Sequence, residues 1–356
     1  MRRRHRWLAA AAALLLLSAG LLSLVEAPAQ PPRKVVRFPS HMRDSEWKRQ
    51  EARQSLPPLP APATAAATPR PDAEPPPRRD PFLVALPVKP GEPVVVFEAN
   101  ALRHSRLGEL FIACAMADDP RAIATFQAET GVDPLKDIDR IGVVGGSVVV
   151  SGFFDRARWD RLVEQGKLGV TPHGEGGRIY ADGPGRAMAV WRDQLVVLAP
   201  DEAAARLSLD QLEGRAPVPE PAIPEDLAYG EVYGVIPGAA VQRLFSPADR
   251  ELGAKLAAAA SRVELHVDAM EDVAAVVRVD GEDRAALGDL ARTLGGALAA
   301  GRLKAKAGSD QPLVELLDAA RVVDEGGRLS LELALPAATL ERWFEGCAGR
   351  QGGDGP

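Results

Sequence analysis

The sequence predicts an α+β protein: two diverged β-α-α-β-β-α-β-β units with mainly antiparallel sheets, preceded by an N-terminal hydrophobic segment and a Pro-rich disordered linker. Three observations predict it. From about residue 91, short β-branched runs alternate with helical patterns. Several strand runs are separated by turns too short for a parallel crossover, which makes them antiparallel neighbours. The order of elements in residues 91–214 then recurs in residues 227–349, after a connector at 215–226.

The first 29 residues read as a targeting segment. Arg2, Arg3, Arg4 and Arg6 precede an uncharged run from Trp7 to Val25. Such a run is long enough to span a bilayer, and the flanking positive charge orients it with the N-terminus in the cytoplasm. Ala27-Pro28-Ala29 also fits a small-x-small cleavage pattern. The segment is thus a signal peptide cleaved near Ala29 or an inner-membrane anchor, and its length favours the anchor. Both put the remainder on the extracytoplasmic side. Residues 26–93 hold 17 of the 31 prolines, so 30–90 is expected to be an extended linker without a core. Within it, Ser45 is expected to cap a short, marginal polar helix.

The first folded unit opens with a strand in "EPVVVFEAN". A helix follows over "ALRHSRLGELFIACAMA", with Leu107, Leu110, Phe111 and Cys114 at i, i+3, i+4, i+7. A second helix over 119–129 stops at Thr130-Gly131. Asp133 and Pro134 are expected to open a one-turn helix, with Asp137 and Asp139 solvated. "RIGVV" and "SVVVSGFF" form a hairpin across Gly145-Gly146. A helix begins after Asp155, strands follow at 177–182, 186–191 and 194–199, and "DEAAARLSLDQLEG" closes the unit. The second unit echoes it. Asp155-Arg156-Ala157 matches Asp283-Arg284-Ala285, each at a strand-to-helix junction where the aspartate is an N-cap. Strands are expected at 261–268, 273–280 and 328–335.

Charge and motif content narrow the function. Residues 1–90 carry 15 basic and 7 acidic side chains, and residues 91–356 carry 28 and 42. The folded part is acidic, which disfavours nucleic acid as a partner. Asp133, Asp137 and Asp139 lack calcium-loop spacing, "GGSVVVSG" lacks the phosphate-loop lysine, and no G-x-S-x-G elbow occurs. No catalytic residue and no cofactor is expected. Glu264, His266 and Asp268 share one face of a strand and are the candidate metal ligands, set against the plainer expectation of an exposed antiparallel face with Arg278 and Asp280 on a neighbour. His173 lies in a Gly-rich loop. Cys347 follows Leu340, Trp343 and Phe344 at the same spacing that places Cys114. Both thiols therefore face apolar cores, where they either stay separate or bridge the first helix to the last.

"TGVDPLKDIDRIGV" followed by "VVVSGFFDRARWD" resembles a pattern in uncharacterised exported or membrane-anchored proteins of GC-rich bacteria. There, a turn of the form tG-x-D-P-x-x-D-I-D precedes a strand ending in G-x-F-D and a helix. The similarity spans about 35 residues and implies an envelope location without an assigned activity. The expectation is a non-enzymatic cell-envelope module that binds a protein or a small ligand. The alternative is an extracytoplasmic hydrolase or metal-dependent enzyme working from the 261–268 strand.

Overall fold

The structure, a computed structural model, describes residues 38–54, 79–119, 121–154, 159, 161, 163–164, 169–181, 185–245 and 250–348. The hydrophobic segment 7–25, most of the linker, Asp155-Arg156-Ala157 and the C-terminal tail lie outside the described residues. Among the described residues, no helix is long and apolar enough to cross a membrane.

The Val-rich runs form a mixed α+β fold around one antiparallel sheet of twelve strands. In chain order these are β1 (Val94–Phe97), β2 (Ile138–Val144), β3 (Ser147–Gly152), β4 (Gly169–His173), β5 (Gly177–Ala181), β6 (Ala187–Trp191), β7 (Leu195–Ala199), β8 (Val232–Pro237), β9 (Arg262–Asp268), β10 (Val273–Asp280), β11 (Ala320–Asp324) and β12 (Arg328–Leu335). The spatial order is β11-β12-β10-β9-β8-β1-β2-β3-β7-β6-β5-β4. Separate sheets for the two halves were expected. Instead β1 pairs with β8, Val94 opposite Val235 and Phe97 opposite Val232. Joining the two central strands removes two exposed edges, which would otherwise be templates for aggregation.

Eleven helices are described: α1 (Asp44–Arg53), α2 (Pro81–Ala85), α3 (Ala99–Arg103), α4 (Arg106–Asp118), α5 (Ala122–Thr130), α6 (Glu202–Leu212), α7 (Gly238–Val241), α8 (Arg250–Ala259), α9 (Arg284–Ala307), α10 (Gln311–Ala319) and α11 (Ala337–Ala348). Periodicity alone suggests one helix across α3 and α4. The chain breaks there because Ser105 leaves helical geometry and its hydroxyl accepts the Gly108 N–H at 3.0 Å, acting as the N-cap of α4. Gly108 is required at this corner, since a Cβ would lie 1.7 Å from the Leu102 carbonyl oxygen. Gly131 ends α5 at φ +73°, and Gly145-Gly146 supplies positive φ to the β2–β3 hairpin.

Alternation along the strands gives the sheet two faces. One face of the second half, with Val263, Val279 and Leu329, packs under α8 and α9. Leu335 and Val273 on that face meet Leu107 and Leu110 of α4 and Leu340 of α11. The opposite face of the first half, with Val96, Val149 and Val197, is covered by Phe82 of α2, by Leu86 just after it and by Leu209 of α6. Residues 80–86, assigned by proline content to the linker, therefore belong to the core, with Phe82 and Ala85 almost fully buried. That same face in the second half carries polar side chains. It receives α1, the helix expected to be marginal.

Candidate functional site

α1 has little apolar surface, and ion pairs dock it. Arg43 is its N-cap residue, one position before Asp44 and two before the expected cap, Ser45. The Arg43 guanidinium reaches Glu46 at 2.8 Å, Glu231 at 2.6 Å and Asp268 at 2.9 Å. Glu46 accepts the Arg43 N–H at 2.6 Å and the Gly230 N–H at 2.8 Å. At the other end, Arg53 binds Glu98 at 2.9 Å and Asp139 at 3.0 Å. Beneath it, Arg140 and Asp80 form a buried two-pronged pair at 2.5 and 2.9 Å, and the Arg140 guanidinium stacks 4.3 Å from the Phe82 ring centroid.

These contacts correct the expectation that Asp137 and Asp139 are solvated. Asp139 is an anchor for α1, and Asp137 accepts the Asp133 N–H at 2.8 Å. Asp133 caps a hydrogen-bonded turn rather than a helix.

Burial and charge set the protonation states in this seam. Burial pushes the Glu46 carboxyl up, yet hydrogen bonds from Arg43 and Gly230 outweigh it and hold the group below its ordinary range. For Glu231 burial prevails over Arg43 and the Ala269 N–H, so its pKa is raised. Burial also raises Tyr233, whose hydroxyl donates to Glu98 at 3.2 Å. A cavity of about 20 Å³, the size of one water molecule, remains between α1 and the sheet. Gln50 lines it with both amide atoms buried and without a hydrogen-bond partner.

The candidate metal residues sit on this covered face, in register with Arg278 and Asp280 on β10 as expected. Arg278 stands opposite Glu264 and Asp280 opposite Arg262. The face is covered rather than exposed: His266 is 0% and Glu264 2% exposed. Glu264 lies 2.7 Å from Arg262, and Asp268 is held by Arg43. Residues at i, i+2 and i+4 of a strand span about 13 Å, so the three carboxylate and imidazole groups do not converge on a metal at bonds of about 2 Å. Among the described residues, no group of three or more His, Cys, Asp or Glu side chains is placed to hold a metal ion. His266 is stacked on Tyr229 at 3.9 Å between centroids and 6° between planes, with Nδ1 on the Tyr229 carbonyl at 3.2 Å. Burial lowers its pKa to about 4, so the ring is neutral at pH 7.

His173 does meet a carboxylate, Asp210, at 2.9 Å. Burial pushes the Asp210 carboxyl up, but hydrogen bonds from Arg215 and His173 outweigh it and lower the pKa. The other ring nitrogen of His173 faces Arg206 at 3.4 Å, so the pair lies within a surface ion network. Cys114 is buried and disulfide-bonded. Its helix α4 packs against α11, which carries Cys347, with Phe111 and Phe344 edge to face at 5.1 Å.

The feature that sequence reasoning missed is a cleft of about 560 Å³ between the α1 segment and the second-half sheet. Met42 and Trp47 form one wall, Leu227 and Tyr229 another, and Arg262, Arg278 and Arg328 line the floor. Trp47 is 58% exposed. A tryptophan inside an otherwise polar, Pro-flanked segment was the available signal.

No family model matches the chain, and no curated protein matches it. Among solved structures, two crystal forms of TP0453 are similar at a TM-score of 0.44. Form III has 12% sequence identity and covers 74% of this chain and 97% of its own; form IV has 13% identity and covers 76% and 96%. Crystal form I aligns at a TM-score of 0.41 and 12% identity. A similarity of this size carries no functional inference.

Proposed function

We propose that the chain is a non-enzymatic, tethered binding module of the bacterial cell envelope. Residues 7–25 anchor it in the inner membrane, the Pro-rich stretch holds it off the surface, and the folded body lies on the extracytoplasmic side. The α1 cleft receives a small ligand. The observation that carries this is the cleft itself: its volume suits a small molecule, and an exposed tryptophan stands over an arginine floor. The rival, an extracytoplasmic hydrolase or metal-dependent enzyme using the 261–268 strand, needs His266 to reach solvent, and the ring has no exposed surface.

We read the body as two diverged copies. β1, β2 and β3 run outward from the sheet centre in one direction, and β8, β9 and β10 run outward in the other. Asp283 caps α9 through the Ala285 and Ala286 N–H groups, the role assigned to Asp155 in the first copy. We also propose that the Cys114 disulfide is closed by Cys347, the chain's only other cysteine. That bridge ties the α4 of one copy to the α11 of the other, in an oxidising compartment.

Spheroplast proteolysis with carbonate extraction tests the location. The full chain is expected in the membrane pellet, with an intact N-terminus and protease access to residues 26–356. Release into the periplasmic fraction of a protein starting near residue 30 would replace the anchor by a cleaved signal. Protection of the whole chain would overturn the extracytoplasmic assignment.

A further inference from the structure

We propose that the α1 cleft takes a small amphiphilic monoanion, a single carboxylate on an apolar body. This rests on the cleft being the ligand site and adds the chemical class of the ligand.

The floor supplies the charge argument. Arg262, Arg278 and Arg328 stand on the adjacent strands β9, β10 and β12, on one face of the sheet. Two carboxylates serve the three guanidiniums. Arg262 meets Glu264 at 2.7 Å and Asp280 at 3.1 Å, and Arg328 meets the same Asp280 at 2.6 Å. Arg278 has neutral partners only, the Tyr229 hydroxyl at 2.6 Å and the Pro39 carbonyl at 2.9 Å. Arg278 thus stands in the cleft without a salt bridge of its own, while both of its neighbours have one. A guanidinium with spare N–H donors in a fixed fork suits a carboxylate.

The opposite wall supplies the apolar argument. Trp47 is held at the rim by α1, and Met42 and Leu227 flank it. A ligand with its carboxylate at Arg278 would lay its body against these side chains, hiding tryptophan surface that is otherwise wet. The charge count limits the ligand. Three guanidiniums face Glu264, Asp280 and Asp226, so the lining is balanced, and the folded part is acidic overall; a polyanion finds no excess of positive charge, whereas one carboxylate can pair with Arg278.

The free acid of a small molecule and the C-terminal carboxylate of an apolar peptide share this chemistry. Calorimetry on the full chain in lipid nanodiscs, with empty discs as blank, separates them. The probes are 4-phenylbutyrate, 4-phenylbutan-1-ol, 4-phenylbutylamine and acetate, together with the peptide Gly-Leu-Phe bearing a free or an amidated C-terminus. The expected result is that 4-phenylbutyrate or the free-acid peptide binds at least tenfold more tightly than the alcohol, the amine or the amidated peptide. Whichever of the two binds more tightly names the source. Arg278→Lys is expected to weaken that binding about tenfold. Trp47→Ala, at an exposed position that folding does not need, is expected to weaken it several-fold with an unchanged melting temperature.

Equal binding of acid, alcohol and amine, lost in Trp47→Ala, would overturn the ligand class and leave the cleft as a binding site. Acid binding that neither substitution alters would place the ligand elsewhere and overturn the proposal. Failure of every probe to bind would remove both the class and the cleft.

Discussion

His266 makes the stability of the body depend on pH in a window that few other groups occupy. Its ring is neutral and fully buried, with its pKa moved from 6.5 to about 4 by burial. The folded value lies below the unfolded one, so the folded state resists protonation. The contribution is complete above pH 6.5, falls as the pH drops through the window, and is gone below about 4. At ~1.4 kcal/mol per pH unit the window is worth about 3 kcal/mol. The groups facing the ring are Tyr229, Arg278, Glu46 and Glu264. Glu231 works in the opposite sense, since its raised pKa adds stability as the pH falls. The effect must therefore be read as a difference. His266→Phe preserves a ring for stacking on Tyr229 and removes the titration. Urea unfolding of both proteins between pH 7.5 and 4 is expected to show the wild type losing about 3 kcal/mol more than the variant. A difference below about 1 kcal/mol would refute the reasoning, because it would mean that His266 is hydrated and that α1 does not cover it in solution.

Three further outcomes follow from the same contacts. Arg43→Met leaves Glu231 buried with only the Ala269 N–H, at a cost of about 2–3 kcal/mol once the partial exposure of Arg43 is allowed for; hydrogen exchange is expected to rise across residues 44–53 while the sheet keeps its protection. Reduction of the disulfide should add two mass units to the intact chain and lower the melting temperature; closing a loop of over 200 residues is worth up to about 5 kcal/mol by chain entropy, and an intact mass unchanged by reductant would reject the bridge. Gly108→Ala forces a Cβ into the Leu102 carbonyl and is expected to cost several kcal/mol in thermal unfolding, whereas Gly296→Ala in α9, with open space around it, should be neutral or slightly stabilising.

Much of the body is legible from local rules. Val148-Val149-Val150 is a strand because β-branched residues suit a pleated surface. Gly145-Gly146 marks its hairpin, and Asp283 marks a helix start, because backbone torsions and free N–H groups are satisfied within a few residues. The alternation in "VELHVDA" correctly places Glu264, His266 and Asp268 on one face. It leaves open what covers that face, because the cover lies more than 200 residues earlier in the chain. For the same reason, "DSEWKRQEAR" reads as a marginal helix. Its stability comes from Glu231, Asp268, Glu98 and Asp139, none of them near it in sequence.

The sequence by itself determined the class, the antiparallel hairpins, the Asp283 cap and the acidic charge of the folded part, all of which follow from short-range sterics, hydrogen bonding and composition. Only the tertiary structure decided that β1 meets β8 to make one sheet, that "PFLVAL" after a run of prolines is core, and that α1 lies over a polar face to form a cleft. Those outcomes depend on long-range partners. A buried charge is tolerable only where an opposite charge arrives, and no local pattern of residues records which distant segment brings it.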